Sequence, residues 1–168
     1  MAYTTIDKPT DYFDTKLWTG NNTAQTITGI PFAPDFVWIK NRSAAESHTL
    51  VNTVVGANNF LKSNATSANN TNTEFVKSFT SDGYTLGNAD EVNNGSNNIV
   101  GWNWKAGTTS GIATNGSTQI TPSAYSFSQT SGFSIVKYTG IGGQPKAIAH
   151  GLGVQPKMFI IKRTNTTG

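Results

Sequence analysis

The two histidines, His48 and His150, are the first candidates for catalysis because imidazole exchanges protons near neutral pH. His48 could form a hydrolytic triad with Ser43 or Ser47 as nucleophile and Asp35 as the orienting carboxylate. Adjacent side chains of a strand point to opposite faces, so Ser47 and His48 are poorly placed for direct proton transfer. The sequence has no G-x-S-x-G nucleophile elbow. We therefore predict a structural role for His48 and a turn-stabilising hydrogen bond for His150.

The acidic residues are the candidates for glycoside hydrolysis and for calcium binding. A polysaccharide depolymerase needs two carboxylates that face each other across the substrate. Asp90 and Glu91 are adjacent in the turn-like segment GNADEVNNG, and adjacent side chains of an extended chain diverge. Carboxylates and amides suit calcium, but the spacing here matches no known calcium loop. We assign no catalytic, cofactor-binding or metal-ligating residue, and we predict that the chain is not an enzyme and needs no cofactor.

Three tryptophans lie in the two most apolar segments of the first hundred or so residues. Trp102 and Trp104 share a face with Val100 in the alternating segment NIVGWNWK, and Trp38 lies in DFVWIK. Exposed indoles can stack on sugar rings, whereas buried indoles belong to the core. Because Trp102 and Trp104 share a face with an aliphatic residue, we predict that they are core residues. The ligand-binding residues stay unknown, and any glycan contact is expected from the Asn- and Thr-rich loops.

Neither the glycine-rich segment nor the basic residues predict phosphate binding. The segment GIGGQPK, residues 140–146, lacks the G-K-S or G-K-T ending and the following helix of a phosphate-binding loop. The pI is about 9.2, but the twelve Lys and Arg residues are scattered along the chain. Nucleic-acid binding usually leaves a basic stripe, so we predict no nucleic-acid partner.

The elements that would have to position these residues are predicted to be short strands. Strong strand signals occur at residues 35–40, 98–105, 132–138 and 157–163. Weaker signals occur at 16–18, 26–28, 48–55, 59–62, 75–79 and 84–86. The dipeptides Asp-Gly and Asn-Gly between them favour tight turns. Many short strands at this spacing predict an all-β fold, with a sandwich or jelly-roll-like unit of short antiparallel strands.

Composition supports a folded β protein. Of the 168 residues, 74 are Thr, Asn, Ser or Gly, and only 12% are charged. The 18 aromatic residues and the net charge of +3 argue against disorder, which combines few aromatics with high charge. Without cysteine, the chain has neither disulfides nor thiolate metal sites. No apolar run approaches the ~20 residues that span a bilayer, so membrane insertion is not expected.

One segment of the sequence occurs twice. GIPFAPDFVWIK (29–40) and GLGVQPKMFIIK (151–162) align so that Pro34 falls on Pro156 and Lys40 on Lys162, an offset of 122 residues. The upstream segment YFDTKLWTG similarly aligns with GFSIVKYTG. Self-similarity of this kind indicates a repeated domain. We predict an N-terminal arm at 1–11, a complete unit at 12–107, a linker at 108–123 and the beginning of a second, incomplete unit at 124–168, within a longer protein. The alternative is a single sandwich whose internal symmetry produces the repeat.

Several of these segments carry a resemblance to a known family. They are YTTIDKPTDYFDTKLWTGN, GIPFAPDFVWIKNRSAAESH, SFTSDGYTLGN, GWNWKAG, GFSIVKYTG and HGLGVQPKMFIIKR. Together they cover nearly the whole chain, which resembles an uncharacterised β-rich domain, often tandemly repeated, in virion and tail-fibre-like proteins of marine tailed bacteriophages. The resemblance implies a structural or host-contact role in the virion, and it carries no assigned functional residues.

The combined expectation is a bacteriophage virion protein that assembles in the host cytoplasm. It would be a tail-fibre or appendage module and a homo-oligomer, anchored to other virion proteins by its N-terminal arm. Its polar loops would contact host-surface glycans, with avidity from many copies. A capsid or tail decoration protein without host binding is the alternative, and a polysaccharide depolymerase is a third reading.

Overall fold

A computed structural model describes residues 8–165, and these residues form an almost entirely β structure. A short 3-10 helix, Pro9–Asp11, precedes the first strand, and one short helix, α1, spans Asp90–Asn93. The strands are β1 (Phe13–Thr19), β2 (Gln25–Ile27), β3 (Phe36–Asn41), β4 (Thr49–Asn52), β5 (Asn59–Phe60), β6 (Asn70–Thr71), β7 (Val76–Thr80), β8 (Gly83–Leu86), β9 (Asn98–Trp104), β10 (Thr118–Ile120), β11 (Ala124–Ser128), β12 (Phe133–Lys137) and β13 (Ala147–Ile148).

Two antiparallel sheets enclose the main core. Sheet I has the strand order β1-β9-β3-β4, and sheet II has the order β2-β8-β7. Both sheets contribute aliphatic residues from one face, which is how stacked sheets bury their apolar surface. The buried cluster between them consists of Ile27, Ile30, Phe32, Val37, Ile39, Val51, Phe60, Phe75, Val76, Tyr84, Leu86, Val92 and Ile99. The predicted all-β, sandwich-like fold is confirmed.

The inner face of β9 is the one that carries Gly101 and Asn103. Both residues are buried, and the Asn103 amide donates hydrogen bonds to the carbonyl oxygens of Asp14 and Gly101. A Cβ on Gly101 would lie 2.4 Å from the Tyr84 hydroxyl and 3.0 Å from the Trp18 ring, so only glycine leaves room for these rings. The prediction that Trp102 and Trp104 lie in the core is therefore wrong, and both are half-buried on the outer face.

A fully buried asparagine joins α1 to the loop between β1 and β2. The Asn93 side-chain amide donates to the carbonyl oxygens of Thr23, at 2.5 Å, and Gly87, at 2.6 Å. Its oxygen accepts from the Asn21 backbone N–H, at 3.1 Å, and from the Gln25 side chain. Every hydrogen-bonding group of this amide is thus used inside the protein, as burial of a polar group requires.

The strands after β9 form two further small sheets. β11 and β12 are an antiparallel pair, and β10 pairs in parallel with β13. Within residues 8–165, none of these four strands joins sheet I or sheet II. β10 lies inside the segment predicted as a linker. The division into units stays a prediction, and most of the predicted N-terminal arm, residues 1–7, lies outside the described residues.

An aspartate immediately before β3 connects sheet I to β11. One Asp35 carboxylate oxygen accepts from the backbone N–H of Ala106, at 2.8 Å. The other accepts from the hydroxyls of Thr53, at 2.9 Å, and Ser126, at 3.1 Å. The buried Ser126 hydroxyl in turn accepts from the N–H of Gly107, at 2.8 Å. We call this group the Asp35 junction, and it fixes where the chain leaves β9.

The strand predicted at residues 157–163 is wrong. This segment lies outside all the strands, and Met158, Phe159, Ile160 and Ile161 are 56% to 78% exposed. The matching segment β3 pairs with β9 on one side and β4 on the other. Among the described residues, no strand pairs in this way with 157–163. Instead, the Lys162 ammonium donates to the Ala65 carbonyl oxygen, and the Asn69 N–H donates to the carbonyl oxygen of Thr164, just beyond the segment.

Candidate binding site

The outer face of sheet I carries two rows of aromatic side chains. The antiparallel register places Trp104 between Phe13 and Phe36 in the first row. In the second row it places Trp102 between Thr15 and Trp38. Side chains directly opposite each other on one face are within contact distance, so each row is continuous across the sheet.

A phenylalanine from β12 covers the first row. The Phe133 ring stacks on Trp104, with ring centroids 5.8 Å apart and an interplanar angle of 16°. It also packs on Phe36 at a centroid distance of 5.8 Å. The first row therefore serves as an interface between sheet I and the β11–β12 pair, while the second row stays open.

The second row, together with Trp104 of the first row, forms an open cleft with a volume of about 330 Å³, lined by Trp38, His48, Trp102 and Trp104. We call it the aromatic cleft. The Trp38 and Trp102 rings meet at 82° with centroids 6.4 Å apart, and the Trp38 and His48 rings meet at 75° with centroids 5.7 Å apart. Two rings thus stand nearly perpendicular to the Trp38 indole, on either side of it.

A hydrogen bond between two of these rings selects the tautomer of the neutral histidine. The Trp38 indole N–H donates to His48 Nδ1 at 2.8 Å. A nitrogen that accepts a hydrogen bond carries no proton, so neutral His48 holds its proton on Nε2. Within the part of the chain that the structure describes, that Nε2–H has no hydrogen-bond partner. Burial and, secondly, the charge of Lys40 lower the pKa of His48.

Neutral polar side chains border the aromatic cleft on both sides. Thr15 lies directly opposite Trp102 on β1 and is exposed. On the other side, the Asn64 side-chain oxygen accepts from the His48 backbone N–H at 3.1 Å, and Ser47 precedes His48. The site therefore has an aromatic centre with hydroxyl and amide groups at its edge, and the Lys40 ammonium lies close enough to His48 to affect its pKa.

The triad considered from the sequence is not assembled. His48 Nδ1 is occupied by the Trp38 indole, and the Asp35 carboxylate is occupied by the Asp35 junction. The Ser43 hydroxyl accepts from the backbone N–H of Asn98. The histidine predicted to stabilise a turn does so, because His150 Nδ1 accepts from the Leu152 N–H at 3.2 Å.

The acidic residues considered as metal ligands are also separated. The Glu91 carboxylate pairs with Lys62 at 2.9 Å, and Asp90 is exposed at the start of α1. Among residues 8–165, no group of three or more His, Asp or Glu side chains could hold a metal ion. A second cavity of about 440 Å³ lies beside the Asp35 junction, where the carboxylate oxygens are already used by internal donors.

Acidification is expected to break the bond between Trp38 and His48. The folded-state pKa of His48 is lowered below its ordinary value of 6.5, so the bond contributes its full stability above about pH 6.5. That stability is lost as the pH falls through the lowered pKa, because a protonated Nδ1 cannot accept. The change should appear as a step in tryptophan fluorescence that coincides with the NMR titration of the His48 ring.

The control for this titration is Trp38→Phe, which keeps a ring but removes the donor and should abolish the step. The charged groups around His48 are Lys40 on β3, Glu46 in the same loop, and Lys62 on the facing segment, which is paired with Glu91. A His48 pKa above 6.5, or no change in indole emission as His48 titrates, would contradict this reading.

The fold and the site define a class: an all-β, sandwich-like protein that presents an aromatic cleft on the outer face of one sheet. The chain belongs to the family described as "Domain of unknown function (DUF7483)", whose sequence profile matches residues 8–168. No curated protein and no solved structure gives a significant match. Neither helix between residues 8 and 165 is long and apolar enough to cross a membrane.

Proposed function

We propose that the chain is a non-enzymatic module of a bacteriophage virion appendage, such as a tail fibre, and that it contacts the host surface through the aromatic cleft. The observation that carries the contact role is the outward position of Trp38 and Trp102 around an open cleft. The virion context comes from the family resemblance of the sequence. The proposal moves the expected contact from the Asn- and Thr-rich loops to the outer face of sheet I.

Aromatic surface that faces outward can supply binding energy. Large aromatic side chains dominate binding energy at recognition surfaces when they are ordered before the ligand arrives. Here the sheet register and the His48 hydrogen bond order the Trp38 ring. A single small cleft gives weak binding, and repeated modules on one particle would raise the overall affinity by multivalency.

A purely structural role in the capsid or tail is the second candidate. The exposed apolar residues between Met158 and Ile161 favour it, because a neighbouring virion chain would cover them. The two candidates differ in whether the isolated protein binds cells.

The test has two parts. Mass spectrometry and antibody labelling of purified phage particles should detect the chain in an appendage, and its absence from particles would refute the virion proposal. Fluorescently labelled protein should bind host cells, and Trp102→Ala should weaken the binding about tenfold or more. Presence in particles without cell binding would favour the purely structural role. Turnover of a host polysaccharide by the purified chain, lost on changing one acidic residue, would overturn the non-enzymatic assignment.

A further inference from the structure

We propose that the aromatic cleft binds a neutral saccharide, with a sugar ring stacked on an indole and His48 Nε2–H donating a hydrogen bond to a hydroxyl oxygen. This proposal specifies the ligand class of the contact surface, and it rests on the proposed function of that surface. It is carried by the shape of the cleft, by the His48 Nε2–H, which has no hydrogen-bond partner among residues 8–165, and by the absence of charged groups among the lining residues.

The size and walls of the cleft fit a small ring. A volume of about 330 Å³ lies at the lower end of the range for ligand sites, about 300 to 1,000 Å³. The rings of Trp102 and His48 stand at 82° and 75° to the Trp38 indole, so an inserted ring meets aromatic surface on more than one side. The C–H faces of a pyranose match such surfaces, because aromatic faces carry negative partial charge.

The walls of the cleft are almost entirely apolar, and the polar groups that fit hydroxyls lie at its edge. Since Trp38 fixes the His48 tautomer, the Nε2–H is oriented before the ligand binds and faces no competing acceptor among the described residues. A saccharide can satisfy that donor while its ring stacks. An aliphatic ligand would leave the donor unpaired on desolvation, which costs free energy. The exposed Thr15 and the neighbouring Ser47 and Asn64 extend the neutral polar surface for further hydroxyls.

Charge distinguishes a neutral saccharide from two other ligand types that aromatic sites bind, quaternary ammonium groups and acidic sugars. The positive charge of Lys40 acts on His48, so a quaternary ammonium ligand would meet repulsion in the cleft. The Lys40 ammonium itself donates to the carbonyl oxygens of Asn41 and Ala44, so it is already used within the protein. The same charge would attract a carboxylate-bearing sugar, but Lys40 lies outside the lining of the cleft, and the apolar walls offer a carboxylate no partner to offset its desolvation.

The experiment is an NMR titration of the full ¹⁵N-labelled chain, read at the indole N–H resonances. The probes are the methyl glycosides of glucose, galactose, mannose and N-acetylglucosamine, their disaccharides, methyl glucuronide, and phosphocholine. At least one neutral saccharide should shift the Trp38 and Trp102 indole signals and leave unchanged the signal of the half-buried Trp18, which packs against the core. Trp102→Ala should weaken that binding about tenfold or more, because it removes one stacking wall.

Matched variants separate binding from folding. Leu17→Ala, a change of an exposed apolar residue on the same outer face but outside the cleft, should leave the affinity unchanged. His48→Phe keeps a ring but removes the donor, and it should weaken binding several-fold. If Trp102→Ala fails to fold, Trp102→Phe replaces it and should lose part of the affinity with an unchanged circular dichroism spectrum.

The outcomes are decisive. Absence of binding by all neutral saccharides, preference for glucuronide or phosphocholine, or equal binding by Trp102→Ala and Leu17→Ala would each overturn the inference. A chain that is found in virions and binds cells but no neutral saccharide would refute only this inference. A chain that binds a neutral saccharide in the cleft but is absent from virions would refute only the virion role.

Discussion

Replacing Asn93 by alanine is expected to lower the free energy of unfolding by about 3 kcal/mol or more, since each buried backbone group left unpaired costs about 1 to 3 kcal/mol. The carbonyls of Thr23 and Gly87 and the N–H of Asn21 all lose their partner together. The side chain is fully buried, so water replaces these bonds poorly. Asn93→Asp should be as damaging, because a carboxylate oxygen would face two carbonyl oxygens.

Thermal and urea unfolding measure this effect. At the usual entropy of unfolding for a chain of this size, about 3 kcal/mol corresponds to a melting temperature lower by roughly 10 °C. The matched control is Asn88→Ala, because Asn88 is an exposed asparagine five positions away whose side chain makes no hydrogen bond among the described residues. Equal melting temperatures for the two variants would show that Asn93 does not hold the loop as described.

Replacing Asp35 by alanine is expected to cost about 2 to 4 kcal/mol and to uncouple β11 and β12 from sheet I. The carboxylate accepts three hydrogen bonds from Thr53, Ala106 and Ser126, and hydrogen bonds to charged groups contribute about 1.5 to 3 kcal/mol each before partial replacement by water. Two of these partners lie beyond the end of β9, so their loss loosens the segment that follows.

Two measurements check the predicted effect of Asp35→Ala. Unfolding of Asp35→Ala should become less cooperative, with residues beyond 106 losing protection from hydrogen exchange before sheet I does. Limited proteolysis should cut first between residues 107 and 117. Asp11→Ala is the control, because Asp11 is exposed and forms one surface ion pair with Lys8, worth about 0 to 1 kcal/mol. A cooperative transition and an unchanged cleavage pattern in Asp35→Ala would refute the coupling.

The strands of the sandwich were predictable because their signals are local. The apolar run at β3 and the alternation at β9 both gave strands within one residue of those observed. The weaker segments at β1, β2, β7 and β8 also became strands. Period-two alternation and turn residues report the local backbone conformation directly. The same local signals carry no information about which strands become neighbours.

The orientation of β9 was not predictable from its own residues. One face of β9 carries Val100 and two tryptophans, and the other carries Gly101 and Asn103. Hydrophobicity alone would place the face with the tryptophans inside. The inner space opposite Gly101 is instead filled by Trp18 and Tyr84, which come from distant parts of the sequence. Asn103 can be buried because Asp14 of the neighbouring strand accepts its N–H. Long-range packing therefore decided the face, and with it the position of the candidate site.

The roles of His48 and Asn93 were missed for a related reason. His48 accepts a hydrogen bond from Trp38, and Asn93 accepts one from a residue about seventy positions earlier. No spacing rule links either residue to its partner. A weak signal existed for His48, since it follows a loop directly after the tryptophan-bearing strand. The repeat predicted a strand at 157–163, but a strand needs partners, and none of the described strands supplies the pairs that β4 and β9 give to β3.

The pairing of β1 with β9 sets how the sandwich responds to mechanical force. Phe13 at the start of β1 lies opposite Trp104 at the end of β9, and the Lys105 N–H bonds to the Tyr12 carbonyl just outside the pair. The chain therefore enters and leaves the sandwich at the same end of two neighbouring antiparallel strands. Tension between residues 12 and 105 would peel β1 away one residue pair at a time, beginning at Phe13, instead of shearing seven pairs at once. Under load, the aromatic row that includes Phe13, Trp104 and Phe133 is where unfolding begins, so its packing sets the force that the module withstands.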